Sequence, residues 1–401
     1  MDNKSDSIIK TSPTALRSLV WEGSIPFCFS LETSELPSGS DRGVEAFYVG
    51  ELAVPRLSYL SLIVPTVKSN LICLVLDQGG LFSLKDENIW FEHLESHTPL
   101  KWHWPVGLIY DTLVASLPSS SITLPLQVTV HLAPPPLEKL LLPNTIEVCR
   151  DAFMSQVKEA DFVRWGSTRR VTNLRQREAE SLWEGVSQHD FDKFWSVASK
   201  LIPTPPPRHS PTSAPLIPSQ SANSTMDRMP DGNGVRNVPI RVYLPHGGPV
   251  MQDHSSPIDN QGRPATLGTT LVNLIPLLFP GSQSNSKHRL ARAFVQGIHI
   301  PLETELGWLG TVMCSADGWV SVVIHLGRTI SPGAQYQEYP ASGITKTGIS
   351  ELLSDASQLI HNDHHLNQCQ GQSSKIRVLA LQNHDGVQTL QAQVQLSIGA
   401  I

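Results

Sequence analysis

The chain has 401 residues, 40% of them apolar and only 16% charged, with a net charge of −6. That length exceeds what one core usually organises, which favours two or three domains plus linker, although a single large barrel stays open. The negative balance excludes a general nucleic-acid binder, because neutralising phosphates needs a surplus of Lys and Arg on one face.

Met1 to Lys10 is polar and lacks the apolar stretch of a secretory signal, which predicts a cytosolic protein. No window approaches the run of about 18 to 20 apolar residues that spans a bilayer. The best, Leu271 to Phe279, is short and broken by Pro276, so membrane contact is expected to be peripheral. Five cysteines are odd in number, far apart and never in a C-x-x-C pair, so neither a disulfide framework nor a zinc cage is expected.

In chain order, Trp21 to Leu31 and Ala46 to Val54 read as strands. Leu57, Leu60, Ile63 and Val64 recur at helical spacing through Leu71. Strand character returns at Ile89 to Trp104 and Gln127 to Leu132, around a helical Val106 to Leu117. This order is that of a β-grasp, the fold of ubiquitin, or of a small α+β sandwich. The proline run from Ala133 to Pro136 then ends the strand, since proline cannot donate to a ladder.

Asn144 to Ile202 has no internal proline, and Ile146, Cys149, Phe153, Val157 and Ala160 mark one apolar stripe, so it is predicted to be helical throughout. Asn144 is the expected cap of the first helix, and Ser187 to Asp190 the break before a last one. Pro203 to Asn237 replaces hydrophobic period with Pro, Ser and Asn and reads as a linker. Val238 to Leu244 is a strand, followed by a polar turn region and a helical Leu267 to Leu278. Ala291 to Ile300 and Gly318 to His325 read as strands around a helix from Glu303 to Cys314, which makes a second β-grasp the economical reading. Beyond Leu326 the chain is polar and reads as outside any packed unit.

No P-loop, dinucleotide fingerprint or G-x-S-x-G elbow is present, so no cofactor and no nucleotide chemistry are expected. His361, His364 and His365 stand at helical spacing beside Asp363, yet without an H-E-x-x-H frame they suggest adventitious metal binding at most. Cys28, Cys73 and Cys149 lie in apolar patterns, where a thiol is more often inert than nucleophilic.

Several segments carry a resemblance to a known family: Val20 to Phe29 (V-W-E-G-S-I-P-F-C-F), Pro55 to Leu62 (P-R-L-S-Y-L-S-L), Trp90 to Glu92 and Pro99 to Gly107 (P-L-K-W-H-W-P-V-G). They continue in order through Phe153 to Asp161 (F-M-S-Q-V-K-E-A-D), Leu182 to Val186, Phe191 to Trp195, Ile240 to Tyr243 and Gly297 to Thr304. In these the chain resembles the autophagy protein five family. The resemblance implies an α+β chain in which two ubiquitin-like (β-grasp) domains flank a helix-rich domain. With the linkers, the expected layout is an N-terminal helix and first ubiquitin-like domain over 1–135, a helix-rich domain over 140–202, a disordered linker over 203–236, a second ubiquitin-like domain over 237–326 and a disordered tail over 327–401. Family members end soon after the strand that here is Gly318 to Ile324, so the tail has no counterpart.

The resemblance further implies a non-catalytic scaffold at the preautophagosomal membrane. It would be joined by an isopeptide bond to the ubiquitin-like autophagy protein twelve, by way of E1-like and E2-like enzymes, and would hold a helix of autophagy protein sixteen in a groove. That complex promotes lipidation of autophagy protein eight with phosphatidylethanolamine. The carried-over acceptor is Lys158, beside the apolar stripe with its amine toward solvent, and Glu159 and Asp161 are expected to hold that amine protonated at rest. Trp21, Gly107 and Asp111 are candidate groove contacts, against the reading of core residues. Arg164, Arg169, Arg170, Arg175 and Arg177 form a basic cluster: a solvated face, or a patch for anionic headgroups or an acidic partner. Two other functions stay in view, an unconjugated ubiquitin-like adaptor and a cysteine-dependent hydrolase.

Overall fold

A turn that proline and serine set up begins the described chain. In the computed structural model, which describes residues 12–36, 47–48, 53–117, 124–140, 144–203, 234–280, 290–326, 374–375 and 397–398, helix α1 spans Pro13–Trp21. The Ser12 side chain accepts from the Ala15 N–H at 3.2 Å, and Pro13 takes the first helical position, where its missing N–H is not needed. The strand expected from Trp21 therefore starts later: Trp21 closes the helix, and β1 is Ser24–Ile25, followed by β2, Phe27–Leu31.

The first sheet adds β3 (Phe47–Tyr48), and β4 (Val54–Pro55) pairs with β1. A helical stretch follows as α2 (Val64–Val67), a π turn at Lys68–Ile72 and α3 (Cys73–Val75), then α4 (Gln78–Ser83). Next come β5 (Trp90–His93), β6 (Thr98–Pro99), α5 (Val106–Ser116) and β7 (Leu126–His131). The five-stranded order is β3-β2-β7-β5-β6, with β2 and β7 parallel and the other pairs antiparallel. Alternation explains which face is core: Phe27, Phe29, Leu31, Val128 and Val130 are buried with Val64, Leu71, Ile109 and Leu113 of the helices.

The middle of the chain is α6 (Ile146–Trp165), α7 (Arg169–Thr172), α8 (Gln176–Ser187) and α9 (Phe191–Ala198). Thr145, not Asn144, caps α6, accepting from the Val148 N–H at 3.3 Å. Asn144 is buried instead, where it accepts from the Ser61 hydroxyl and donates to the Ile89 carbonyl. Gly166, at φ 72, ends α6 in the left-handed conformation that glycine adopts without strain. Helices α8 and α9 cross so closely that a Cβ on Gly185 would sit 2.5 Å from the Phe194 nitrogen. Gly185→Ala is accordingly expected to lower stability by about 1–3 kcal/mol, the usual range for overpacking, in chemical denaturation; an unchanged midpoint would refute the close crossing.

The second sheet repeats the first. It comprises β8 (Val238–Tyr243), β9 (Val250–Ser255), α10 (Leu267–Leu274), β10 (Ala291–Val295), β11 (Ile298–His299), α11 (Leu306–Val312) and β12 (Val320–Leu326). Its order β11-β10-β12-β8-β9, with β12 and β8 parallel, is the order of the first sheet read from the other edge. Strand β9 falls where a polar turn region is expected, because V-M-Q-D-H-S on a sheet edge shows neither face fully buried. Residues 204–233 of the expected linker lie outside the described residues. So does the expected tail, apart from two short segments, Ser374–Lys375 and Ser397–Ile398, that pair antiparallel.

One apolar core runs through both sheets and the helices between them. A smaller cluster of Leu108, Tyr243 and Val323, backed by Trp104, seats α5 of the first sheet directly on the second. The two sheets and the helical insert are thus held as neighbours by packing.

Candidate acceptor site and the joints that hold it

Helix α6 lays one side on the core and the other in solvent. Cys149, Phe153, Val157 and Ala160 are buried, whereas Lys158 is exposed. Among the described residues no carboxylate pairs with the Lys158 amine. That corrects the expectation for its two acidic neighbours, and the reasons are geometric. Glu159 accepts from the Arg241 guanidinium at 2.9 Å. Asp161 is buried and turned inward, accepting from the Val171 N–H at 3.3 Å, and burial pushes its carboxyl above the ordinary range. One turn beyond Lys158 on the same face, Phe162 is 57% exposed.

The three expected groove contacts are interior residues in this structure. Trp21 is 1% exposed, stacked against His189 at 5.4 Å and Phe194 at 4.7 Å, where it fastens α1 to α9 and the turn before it. Gly107 donates its N–H to the Arg56 carbonyl at 2.7 Å, and a Cβ there would meet Arg56 at 2.9 Å. Asp111 is buried against the Arg56 guanidinium, which also donates to the Gly107 carbonyl at 3.3 Å. Burial pushes the Asp111 carboxyl up even with Arg56 beside it and the Gly297 N–H donating to it. Gly297 belongs to the β10–β11 turn at φ 77 and leaves room for the Arg56 guanidinium, at 3.0 Å from where its Cβ would be. Arg56, Asp111 and Gly297 therefore form a buried joint between the two sheets.

The basic cluster divides. Arg164 is 3% exposed and donates to the Gly318 carbonyl at 2.7 Å, so it joins α6 to the second sheet rather than to solvent. Arg170 lies over the Trp165 ring at 3.6 Å and donates to the Lys200 carbonyl. Arg169, Arg175 and Arg177 are exposed.

Sequence reading missed Arg56 and Arg241. Each is a charge between apolar neighbours, in P-R-L and I-R-V, and a cation inside a core-facing pattern must find a partner or water. That signal was available. Among the described residues no group of three His, Cys, Asp or Glu side chains converges as a metal site, and His361, His364 and His365 lie outside them.

Two β-grasp sheets of identical strand order, with a helical bundle between them, define a protein built on the ubiquitin-like fold. Three models of one family match in order: Autophagy protein ATG5, UblA domain, over residues 20–132; its alpha-helical bundle region over 146–204; and its UblB domain over 237–324. The chain belongs to the autophagy protein ATG5 family. Curated relatives include Autophagy protein 5 of Phaeosphaeria nodorum, 28% identical over 338 residues that cover 77% of this chain and 96% of the relative. Autophagy protein 5 of Neosartorya fischeri is likewise 28% identical, covering 79% of this chain and 97% of the relative. The crystal structure of Kluyveromyces marxianus Atg5 shares the fold, with a TM-score of 0.55 at 18% identity, over 77% of this chain and 98% of that one. No described helix is long and apolar enough to cross a membrane.

Proposed function

We propose that the chain is the acceptor scaffold of the autophagy conjugation system, and that Lys158 receives autophagy protein twelve. The observation that carries this reading is the exposed Lys158 amine on a helix that two sheets brace, with both neighbouring carboxylates engaged elsewhere. The chemistry asked of the chain is small. The neutral Nζ attacks the thioester carbonyl of the loaded E2-like enzyme, the new C–N bond replaces the C–S bond, the enzyme leaves as thiolate, and the proton shed by nitrogen ends on that sulfur through water. Proximity supplies the rate, so a rigid helix is the useful contribution of the scaffold. With a helix of autophagy protein sixteen, the conjugate acts as an E3-like factor for lipidation of autophagy protein eight at the preautophagosomal membrane. Trp21, Gly107 and Asp111 would shape the partner groove from beneath, and Arg169, Arg175 and Arg177 would face anionic headgroups. The layout of domains at 1–135, 140–202 and 237–326 belongs to the same proposal.

The cysteine-hydrolase reading finds no support in Cys28 or Cys149. Burial pushes Cys149 up to about 12 and Cys28 above its ordinary value, so neither offers thiolate at neutral pH. In the folded protein, iodoacetamide at mildly alkaline pH is expected to modify the exposed Cys73 and spare Cys149; alkylation of Cys149 before unfolding would revive the hydrolase reading. Conjugation itself is tested by reconstitution with the E1-like and E2-like enzymes. A higher-mass species that survives boiling with thiol reductant is expected, and one that reductant dissolves would mark a thioester enzyme instead.

A further inference from the structure

Arg241, on β8, is tied to three elements at once. Its Nε donates to Gln252 Oε1 on β9 at 3.2 Å. One terminal nitrogen donates to Gln156 Oε1 and the other to Glu159 Oε2 at 2.9 Å, both on α6. The guanidinium plane lies 3.8 Å over the Trp319 ring, and the Trp319 indole donates back to the Gln156 carbonyl at 3.2 Å. Its side chain is 14% exposed, against 52% for Glu159, so the cation is fixed and the carboxylate is drawn to it. Gln156 and Glu159 are three apart on one side of α6, and Lys158 lies between them in sequence on the open side. Without that cation, Glu159 would be a half-exposed carboxylate, unengaged and one residue from Lys158.

We propose that Arg241 is a positioning residue for conjugation: it holds Glu159 against the second sheet and away from the Lys158 amine. The inference rests on the reading of Lys158 as acceptor. An unoccupied carboxylate near an ammonium favours its charged form, and the charged amine has no lone pair with which to attack. The scale is that of an exposed ion pair. Arg241→Gln, which retains hydrogen bonding to Gln156 and Gln252, is expected to slow transfer roughly two- to fivefold at neutral pH and to move the rate profile up by about half a pH unit.

Two measurements on the full chain test this. Trace acetic anhydride labelling, mapped at the Lys158 peptide across pH, reads the amine without any enzyme. Single-turnover transfer from the E2-like enzyme charged with autophagy protein twelve reads the reaction. In both, Arg241→Gln should be slower with its profile displaced to higher pH, Glu159→Gln should match wild type, and the double variant should return to wild type. An unmoved labelling profile in Arg241→Gln, or a double variant as slow as the single one, overturns the proposal, because a purely structural arginine would not be rescued by removing a carboxylate. A Lys158→Arg chain run alongside that still conjugates normally retires the acceptor reading instead, and does so whatever the labelling profile shows.

Discussion

Lys158→Arg is expected to remove the conjugate with no measurable loss of stability. Arginine keeps the positive charge and a similar helix propensity, so α6 is undisturbed at this exposed position. Its guanidinium stays protonated at any working pH and has no amine lone pair for a thioester, so transfer should stop rather than slow. The readout is a reconstituted reaction on a reducing gel together with the thermal midpoint of the unconjugated chain. A normal conjugate band from a stable variant would mean that another lysine accepts the modifier.

Asp111→Ala should be the most damaging exposed-charge-free change in the domain joint, at about 3–5 kcal/mol, because it strands the Arg56 guanidinium in the interior. Urea denaturation measures this directly. The double variant Arg56→Met with Asp111→Ala should recover most of the loss, since removing both partners leaves no orphaned charge. A single-variant loss below about 1 kcal/mol would show that water reaches the pair, as it reaches ordinary surface ion pairs. The same geometry bears on partner affinity. Asp111→Arg would place two cations together between the sheets, so weakened binding of a partner helix would report the joint rather than a direct contact.

Much of the fold is legible in the sequence because the central β-grasp strands alternate or run apolar, as in Phe27–Leu31 and Val320–Leu326. Helix α6 is equally plain, since its apolar stripe recurs from Cys149 to Ala160 without proline. The misses have local causes. Trp21 is read as strand because aromatic residues favour strands, but Ser12 and Pro13 set a helix that carries through it. Strand β9 is polar because it is an edge, and Asn144 is taken from capping by two buried partners that are distant in sequence.

The site is legible only in part, for a related reason. Lys158 is found from its surrounding segment, and exposure is consistent with the stripe. What its neighbours do is decided elsewhere in the chain: Glu159 by Arg241 on the second sheet, Asp161 by the Val171 backbone, and Arg164 by the Gly318 carbonyl. Local charge counting cannot see these long-range pairings, so both carboxylates next to Lys158 are engaged elsewhere and Arg164 leaves the basic cluster once the sheets close on α6.

Peptide mapping of the conjugate purified from cells addresses the acceptor most directly. Proteolysis and tandem mass spectrometry should yield one branched peptide, with the carboxyl terminus of autophagy protein twelve joined to Nζ of Lys158. A branch at any other lysine, or a chain recovered only without a branch, would contradict the account.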